Sequence, residues 1–374
     1  MASCPLTVPS PAHKPLTIGI DARAATEVPA GRGRVVRELL RELAARDDPH
    51  TYICYARVPW EEPLGERFLW RCRPASDGAW HIWSALDASR SCDVYLATNS
   101  YLSVIFNLLP TVAIVYDLVA FEPGLGTRRQ SLVVERLTLG IAARRARGLV
   151  CISSSTRSAL TARYPATSDI STVALLGTAD SLVGPGAAEL DELPAPGFVL
   201  AVGTLEPRKN LPRLVAGYAA LPAARQRDHP LVVVGASGWQ TGETSAALDS
   251  LGDRCLRLGH VSDAALAELY RRCAVFCYPS LSEGFGLPVL EAMAAGAAVI
   301  TSSVSSLPEV GGDAVEYVDP LSVDSISERL HDLLSSPERR AELGRLGSER
   351  ARLFSWGRTA DAVMTALERA AYPG

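Results

Sequence analysis

At 374 residues the chain is long enough for two domains, each with its own core. Charged types make up 21% and apolar types 48%, the balance of a soluble globular protein, and a net charge of −4 gives a nucleic-acid partner no general electrostatic support. The eight cysteines fall singly, without a C-x-x-C pair or the histidine spacing of a zinc site. Cys54, Cys92, Cys151 and Cys277 stand in apolar, strand-like runs, which reads as small reduced core residues in a reducing cytoplasm.

Residues 1–15 are proline-rich and lack an apolar centre, so they read as a loose tail rather than a signal peptide. Leu16 to Ile20 is a first strand, followed by a loop holding Gly31 and Gly33. A helix then carries Val35, Val36, Leu39, Leu40 and Leu43 at helical spacing. Further strands are expected at 51–57, 93–97, 111–116 and 148–152, and Ser153-Ser154-Ser155 is a natural cap for a helix over 155–163. The oily stretch Tyr101–Phe121 is interrupted by Asn107, Pro110 and Asp117, too often for a membrane span of about 20 apolar residues. It reads as a loop and a buried strand.

The glycine- and proline-rich segment 179–197 reads as a linker between a first domain over 16–178 and a second over 198–355. The second rhythm places strands near 198–202, 231–235, 255–259, 275–278, 297–301 and 314–318. Ser336-Pro337 opens a helix with a cap and a proline at its first position, and a last helix follows within 356–374. Strands alternating with helices throughout predict parallel sheets flanked by helices, that is, two Rossmann-like doubly wound α/β domains facing across a cleft. Ligands in such sheets bind beyond the carboxyl ends of the strands.

The most informative stretch lies at such an end. Ser282-Glu283-Gly284-Phe285-Gly286-Leu287-Pro288-Val289-Leu290-Glu291 runs from a strand through a glycine-rich turn into a helix. Glycines let backbone N–H groups approach a ligand, and a helix start offers unpaired donors to an anion. Eight residues rise about 12 Å on a helix, whereas a glycosidase acid/base pair sits roughly 5–9.5 Å apart. Glu283 and Glu291 are thus expected to hold opposite ends of an elongated ligand, with diphosphate at the helix start. Arg208 and Lys209 follow another strand and precede a helix, where cations are misplaced unless they serve an anion. His260 reads as a core or loop histidine. No D-x-D, H-E-x-x-H, G-x-S-x-G or G-x-x-x-x-G-K-[ST] pattern occurs.

Glu283 to Glu291 resembles the E-x7-E signature of retaining glycosyltransferases with the GT-B fold. The words Val202-Gly203-Thr204-Leu205-Glu206-Pro207-Arg208-Lys209-Asn210-Leu211, Leu258-Gly259-His260-Val261-Ser262 and Glu309-Val310-Gly311-Gly312-Asp313-Ala314 resemble family four, also called group 1. The likeness is dense over 198–320 and thin before 150. It implies that Arg208 and Lys209 stabilise the departing diphosphate, and that Glu291 holds the nucleotide ribose. It places Glu283 beside the donor sugar with the backbone of Gly284, Phe285 and Gly286, and closes Leu287 over the nucleotide. Gly203 belongs to the same donor site, and the Gly31/Gly33 loop approaches the phosphates from the first domain. The last helix is implied to cross back to that domain.

The sequence departs from the family at Tyr116-Asp117, where relatives often carry His-Asp. A phenol titrates near pH 10 and cannot replace imidazole as a neutral-pH base; Asp117 keeps its place. The resemblance implies a retaining, metal-independent transferase without a cofactor, moving a sugar from a nucleotide-diphosphate donor to a saccharide or lipid-linked saccharide in surface polysaccharide assembly. Gly203–Asn210 and Gly235-Ala236-Ser237-Gly238-Trp239 lean towards mannosyltransferases and so to GDP-mannose. A sugar-nucleotide epimerase on the same scaffold and a non-catalytic binding protein stay open. Arg32, Arg34, Arg37 and Arg41, with Arg128, Arg129, Arg136, Arg144, Arg145 and Arg147, read either as solvated helix faces or as a docking face for anionic membrane.

Overall fold

The computed structural model describes residues 14–29, 31–122, 129–178, 193–236, 238 and 242–372, with the side chains of 129–131 left aside. Most of the expected N-terminal tail and of the 179–197 linker, together with Arg128, Ser237 and Trp239, lies outside the described residues.

Two parallel sheets organise the chain. In the first, β1 (Thr17–Asp21), β2 (Thr51–Ala56), β3 (Phe68–Cys72), β4 (Val94–Ala97), β5 (Thr111–Val115), β6 (Gly148–Cys151) and β7 (Ser171–Val173) stand in the order 3-2-1-4-5-6-7. In the second, β8 (Val199–Val202), β9 (Leu231–Val234), β10 (Cys255–Gly259), β11 (Val275–Tyr278), β12 (Val299–Ser302) and β13 (Glu316–Val318) stand in the order 10-9-8-11-12-13. Inner strands such as β4, β5, β9 and β11 are buried along their whole length, as apolar runs covered by helices on both faces require. The order reverses between β1 and β4, and again between β8 and β11. Those two switch points open the crevices in which doubly wound sheets hold ligands.

Local chemistry explains the helix starts. Ser153 Oγ accepts from Thr156 N, and Ser336 Oγ from Arg339 N, each satisfying a donor that the first helical turn leaves unpaired. Pro337 follows as the first residue of its helix, where a missing N–H costs nothing. Two strands and several helices, Asp77–Ser91 and Val323–Ser335 among them, went unread in the sequence. β3, at the sheet edge, buries only Phe68, β7 has three residues, and Leu102–Phe106 forms a short helix where a loop was expected.

The final helix, Trp356–Ala371, packs on the helix Arg32–Ala45 and on β4 to β7 of the first domain. It buries Trp356, Val363, Met364 and Leu367, at roughly 1.5–3 kcal/mol for each large apolar side chain removed from water. Thr359 Oγ1 also donates to the Leu175 carbonyl. This helix therefore returns the chain from the second domain to the first sheet. No helix among the described residues is long and apolar enough to cross a membrane.

Candidate active site

A cleft of about 440 Å³ lies between the two switch points and is lined from both domains. β1 leads to Gly31 at the N-cap of the helix Arg32–Ala45, with φ +54°, a backbone conformation that glycine adopts without strain. Gly33 takes a different part from the one expected. It lies inside the first turn, buried and off the cleft wall, where an added Cβ would stand 1.7 Å from the Val28 carbonyl oxygen. It is a packing glycine, and Arg32 and Arg34 present the ligand-facing side chains of this turn.

Across the cleft, β11 ends at Tyr278 and the chain turns through Glu283 to Gly286, the N-cap of the helix Leu287–Ala294. The turn is fixed from behind. Ser305 Oγ accepts from Glu283 N at 2.8 Å, and Ser306 Oγ accounts for the carbonyls of Glu283 and Phe285 at 2.9 Å each. The Phe285 ring turns away onto Phe354, so that residue offers the cleft its backbone.

Glu283 is buried and holds both expected cations. Arg208 donates to one carboxylate oxygen, while Lys209 Nζ (2.8 Å) and the Tyr278 hydroxyl (2.8 Å) donate to the other. Arg208 also pairs with Glu206 at 2.7 Å. Burial opposes ionisation of Glu283, but Arg208 and then Lys209 override it and hold the carboxyl down at about 2. Lys209 is pushed down by burial against the pull of Glu283. Arg208 is raised, its burial outweighed by Glu283 and Glu206. The two cations stand in a 3-10 turn, Pro207–Lys209, and their charge is balanced by carboxylates rather than left open at a helix start.

Glu291 sits in the second turn of its helix, not at the start, because the helix begins only at Leu287. The rise of a straight eight-residue helix therefore does not measure its separation from Glu283; both carboxylates line the same cleft. Glu291 pairs with Arg34 of the first domain and accepts from the Tyr270 hydroxyl at 3.1 Å, while Arg34 also pairs with Asp263. Burial pushes the Glu291 carboxyl up despite Arg34. Arg34, Tyr270, Tyr278 and Glu206 escaped the sequence reading. Arg34 stood in a run read as either a solvated face or a docking face for anionic membrane, although its place next to the buried Gly33 was a usable signal.

Three more contacts hold the domains together here. Thr156 Oγ1 donates to the Gly284 carbonyl at 3.2 Å, Ser282 Oγ donates to Glu122 at 2.9 Å, and Glu309 accepts from Ser154 N at the start of the helix Ser154–Arg163. A Cβ on Gly284 would lie 2.1 Å from the Tyr116 carbonyl oxygen, so glycine is what permits this approach. The Tyr116 hydroxyl is committed to the Thr98 carbonyl at 2.8 Å, and burial raises its pKa above the usual phenol range. Its ring forms a wall beneath the Arg32 guanidinium, 5.2 Å away. Asp117 lines the cleft and accepts from Val119 N. Gly203 and Leu287 complete the walls, and His260 is exposed in a loop. Among the described residues no group of three or more His, Cys, Asp or Glu is arranged to hold a metal ion.

The basic run on the first helix is a solvated face only in part, since Arg32 and Arg41 are exposed while the others turn inward. Arg34 is buried in the cleft, Arg37 donates to the carbonyls of Ala25, Val28 and Pro29, and Arg41 pairs with Glu38 and Glu62.

Two parallel doubly wound domains with a cleft between their switch points define the GT-B fold of glycosyltransferases. Residues 189–350 match the family described as glycosyl transferases group 1, as the motifs had implied. This chain is 41% identical over 166 residues to the O-antigen chain mannosyltransferase B of Escherichia coli, covering 43% of this chain and 42% of that protein. It is 32% identical over 191 residues to a D-inositol 3-phosphate glycosyltransferase of Segniliparus rotundus, covering 49% of this chain and 42% of that protein. Each match thus reaches less than half of the relative. The sucrose-phosphate synthase of Thermosynechococcus elongatus shares the fold over 93% of this chain and 97% of its own, with a TM-score of 0.76 at 21% identity.

Proposed function

We propose that the chain is a retaining, metal-independent glycosyltransferase that moves a sugar from a nucleotide-diphosphate donor to a saccharide or lipid-linked saccharide. The observation that carries this reading is the buried cluster of Arg208, Lys209 and Glu283 against the glycine-rich turn. When the bond between the sugar's anomeric carbon and the phosphate oxygen breaks, negative charge grows on the departing diphosphate. Two fixed cations and the backbone donors at Gly284 to Leu287 are aimed at that place, in surroundings where such interactions are strong. They supply the positive charge that a divalent ion would otherwise bring. Glu283 orients the sugar and both cations, and Glu291, exchanging Arg34 for the ribose diol, anchors the nucleoside. The acceptor oxygen attacks on the face the phosphate leaves, and its proton passes to the departing phosphate oxygen. That route asks nothing of Tyr116, whose hydroxyl is already committed.

Mannose is the sugar we assign, with GDP as carrier, on the strength of the relatives' names and the Gly203–Asn210 word. Thermal-shift binding of GDP, UDP, dTDP and ADP to wild type and Glu291→Ala tests the reading, since a ligand of the native state raises the melting temperature. One nucleotide, GDP, is expected to stabilise wild type and not the variant. No shift with any of them on a folded sample sinks the proposal in favour of a binding protein, and donor interconversion without acceptor would point to an epimerase.

We place the enzyme at the inner face of a membrane. The helix Arg129–Arg145 exposes Val133, Val134, Leu137 and Ile141 on one side, flanked by Arg136, Arg144 and Arg145, the pairing of apolar stripe and basic rim that anionic lipid attracts. Co-sedimentation with anionic liposomes at low salt is expected, and Leu137→Glu is expected to abolish it.

A further inference from the structure

The Tyr278 hydroxyl stands among the charges of the cleft without carrying charge itself. Lys209 Nζ donates to it, and it donates in turn to Glu283 Oε1 at 2.8 Å, the oxygen that Lys209 also reaches at 2.8 Å. The three groups close a triangle, with the ammonium 4.8 Å from the centre of the Tyr278 ring. Arg208 takes the other carboxylate oxygen and, at 2.9 Å, the Ser282 carbonyl.

The phenol is mounted on the sheet, whereas Glu283 belongs to the turn. Tyr278 is the buried last residue of β11 and pairs with Thr301 of β12, whose Oγ1 donates to the Tyr278 carbonyl at 3.0 Å. Its ring stacks on Phe276 with 5.8 Å between centres. Burial, and then the charge of Glu283, raise the phenol well above its usual range, so it keeps its hydrogen.

A donor diphosphate would act on this cluster unevenly. Arg208 and Lys209 are the groups it competes for, while the hydrogen of Tyr278 is committed to the carboxylate. A carboxyl buried without a compensating partner is pushed far above its usual range and takes up a proton near neutral pH. The other charged groups on the cleft walls do not stand in for the two cations. Arg34 is held by Glu291 and Asp263, Arg32 lies over the Tyr116 ring, and Asp117, Glu135 and Glu206 are acidic themselves. The buried Ser280 hydroxyl adds only a lesser pull towards the ionised form of Glu283.

We propose that Tyr278 is a positioning residue: its hydroxyl keeps hold of Glu283 while the diphosphate draws Arg208 and Lys209 away, so that the carboxylate stays charged and beside the sugar. A charged Glu283 stabilises the positive charge that develops at the anomeric carbon as its bond to the phosphate oxygen breaks; a protonated one does not. The assignment rests on the glycosyltransferase reading above, and its test needs no acceptor.

Isothermal titration calorimetry of the full chain with GDP-mannose and with UDP-glucose, near pH 7 in buffers of different ionisation enthalpy, counts the protons taken up per donor bound. The diphosphate of a sugar nucleotide is a diester and does not itself titrate there. Wild type is expected to take up less than about 0.2 proton, and Tyr278→Phe, checked for folding by circular dichroism, about 0.5 or more. By linkage, half a proton makes the affinity of the variant fall about threefold for each pH unit of increase, while that of wild type stays level. The double variant Tyr278→Phe/Glu283→Gln is expected to lose the extra uptake, since an amide takes no proton at this pH. Uptake of about half a proton by wild type overturns the assignment without recourse to any variant. Equal uptake in wild type and Tyr278→Phe, loss of donor binding in Tyr278→Phe, or extra uptake that persists in the double variant also overturns it. In each of these cases wild type still binds the donor, and the glycosyltransferase reading stands. Binding of neither sugar nucleotide by wild type sinks that reading and this assignment together.

Discussion

Glu283→Gln keeps the shape of the side chain and removes the charge between Arg208 and Lys209. In the fold this carboxyl is lowered from 4.5 to about 2, burial opposing the ionised form and the two cations prevailing. A carboxyl with a depressed folded value stabilises the fold above its unfolded value, and that contribution is lost as pH falls through the folded one. At about 1.4 kcal/mol per pKa unit, the interval from 4.5 to about 2 corresponds to about 3 kcal/mol at neutral pH. Solvent screening takes little from this figure, because the Glu283 side chain is only 7% exposed. Lys209 loses its counter-charge in the variant while remaining buried, which adds to the cost.

Urea unfolding followed by circular dichroism, at pH steps from about 7 down to about 2, measures the difference. The variant is expected to be less stable by about 3 kcal/mol near neutrality, with the gap closing below pH 4.5 and gone near 2. The same variant should bind nucleoside diphosphate more tightly, since Arg208 and Lys209 no longer have an anionic competitor, while sugar transfer falls by about 10²-fold. A stability gap that stays constant across the acid range, or no gap at neutral pH, would refute the view that these cations hold the carboxylate.

The Arg34–Glu291 pair gives an asymmetric expectation. Arg34→Met leaves a buried carboxylate with only the Tyr270 hydroxyl and should cost about 3–5 kcal/mol, whereas Glu291→Gln leaves Arg34 its half-exposed partner Asp263 and should cost less; denaturant midpoints of the two variants rank them. Gly284→Ala drives a Cβ into the Tyr116 carbonyl and should hold the domains apart, seen as a larger radius of gyration by X-ray scattering and a loss of transfer above about 100-fold. Transfer should survive EDTA; activity abolished by the chelator and restored by a divalent ion would refute the metal-independent mechanism.

The sequence carried the strands and caps because those depend on near neighbours. Val275–Tyr278 is apolar throughout, Ser153 and Ser336 each precede a helix, and Gly286 stands where the chain must turn positive in φ. β3 was hidden because an edge strand with Arg71 in it shows no continuous apolar run, and the Leu102–Phe106 helix because five residues give too few turns for a period to show. At the site, residue types were legible and partnerships were not. Arg208 and Glu283 lie 75 positions apart and Arg34 and Glu291 lie 257 apart, so only the fold tells which charge meets which.

That gap changes the chemistry. Arg208 and Lys209, read as cations waiting for phosphate, are matched by Glu206 and Glu283, and Glu291 is already held by Arg34. A diphosphate entering this cleft does not meet bare positive charge; it competes with Glu283 for the same two donors, as a ribose competes with Arg34 for Glu291. The first exchange trades one buried ion pair for another, and the second trades the Glu291–Arg34 pair for hydrogen bonds from neutral hydroxyls. On the proposed mechanism, nucleotide affinity is then set by a difference between competing interactions, and the cations stay positioned for the moment when charge builds on the leaving phosphate. Weakening the protein's own pairs should raise nucleotide affinity and lower the rate of transfer together, the two responses predicted for Glu283→Gln.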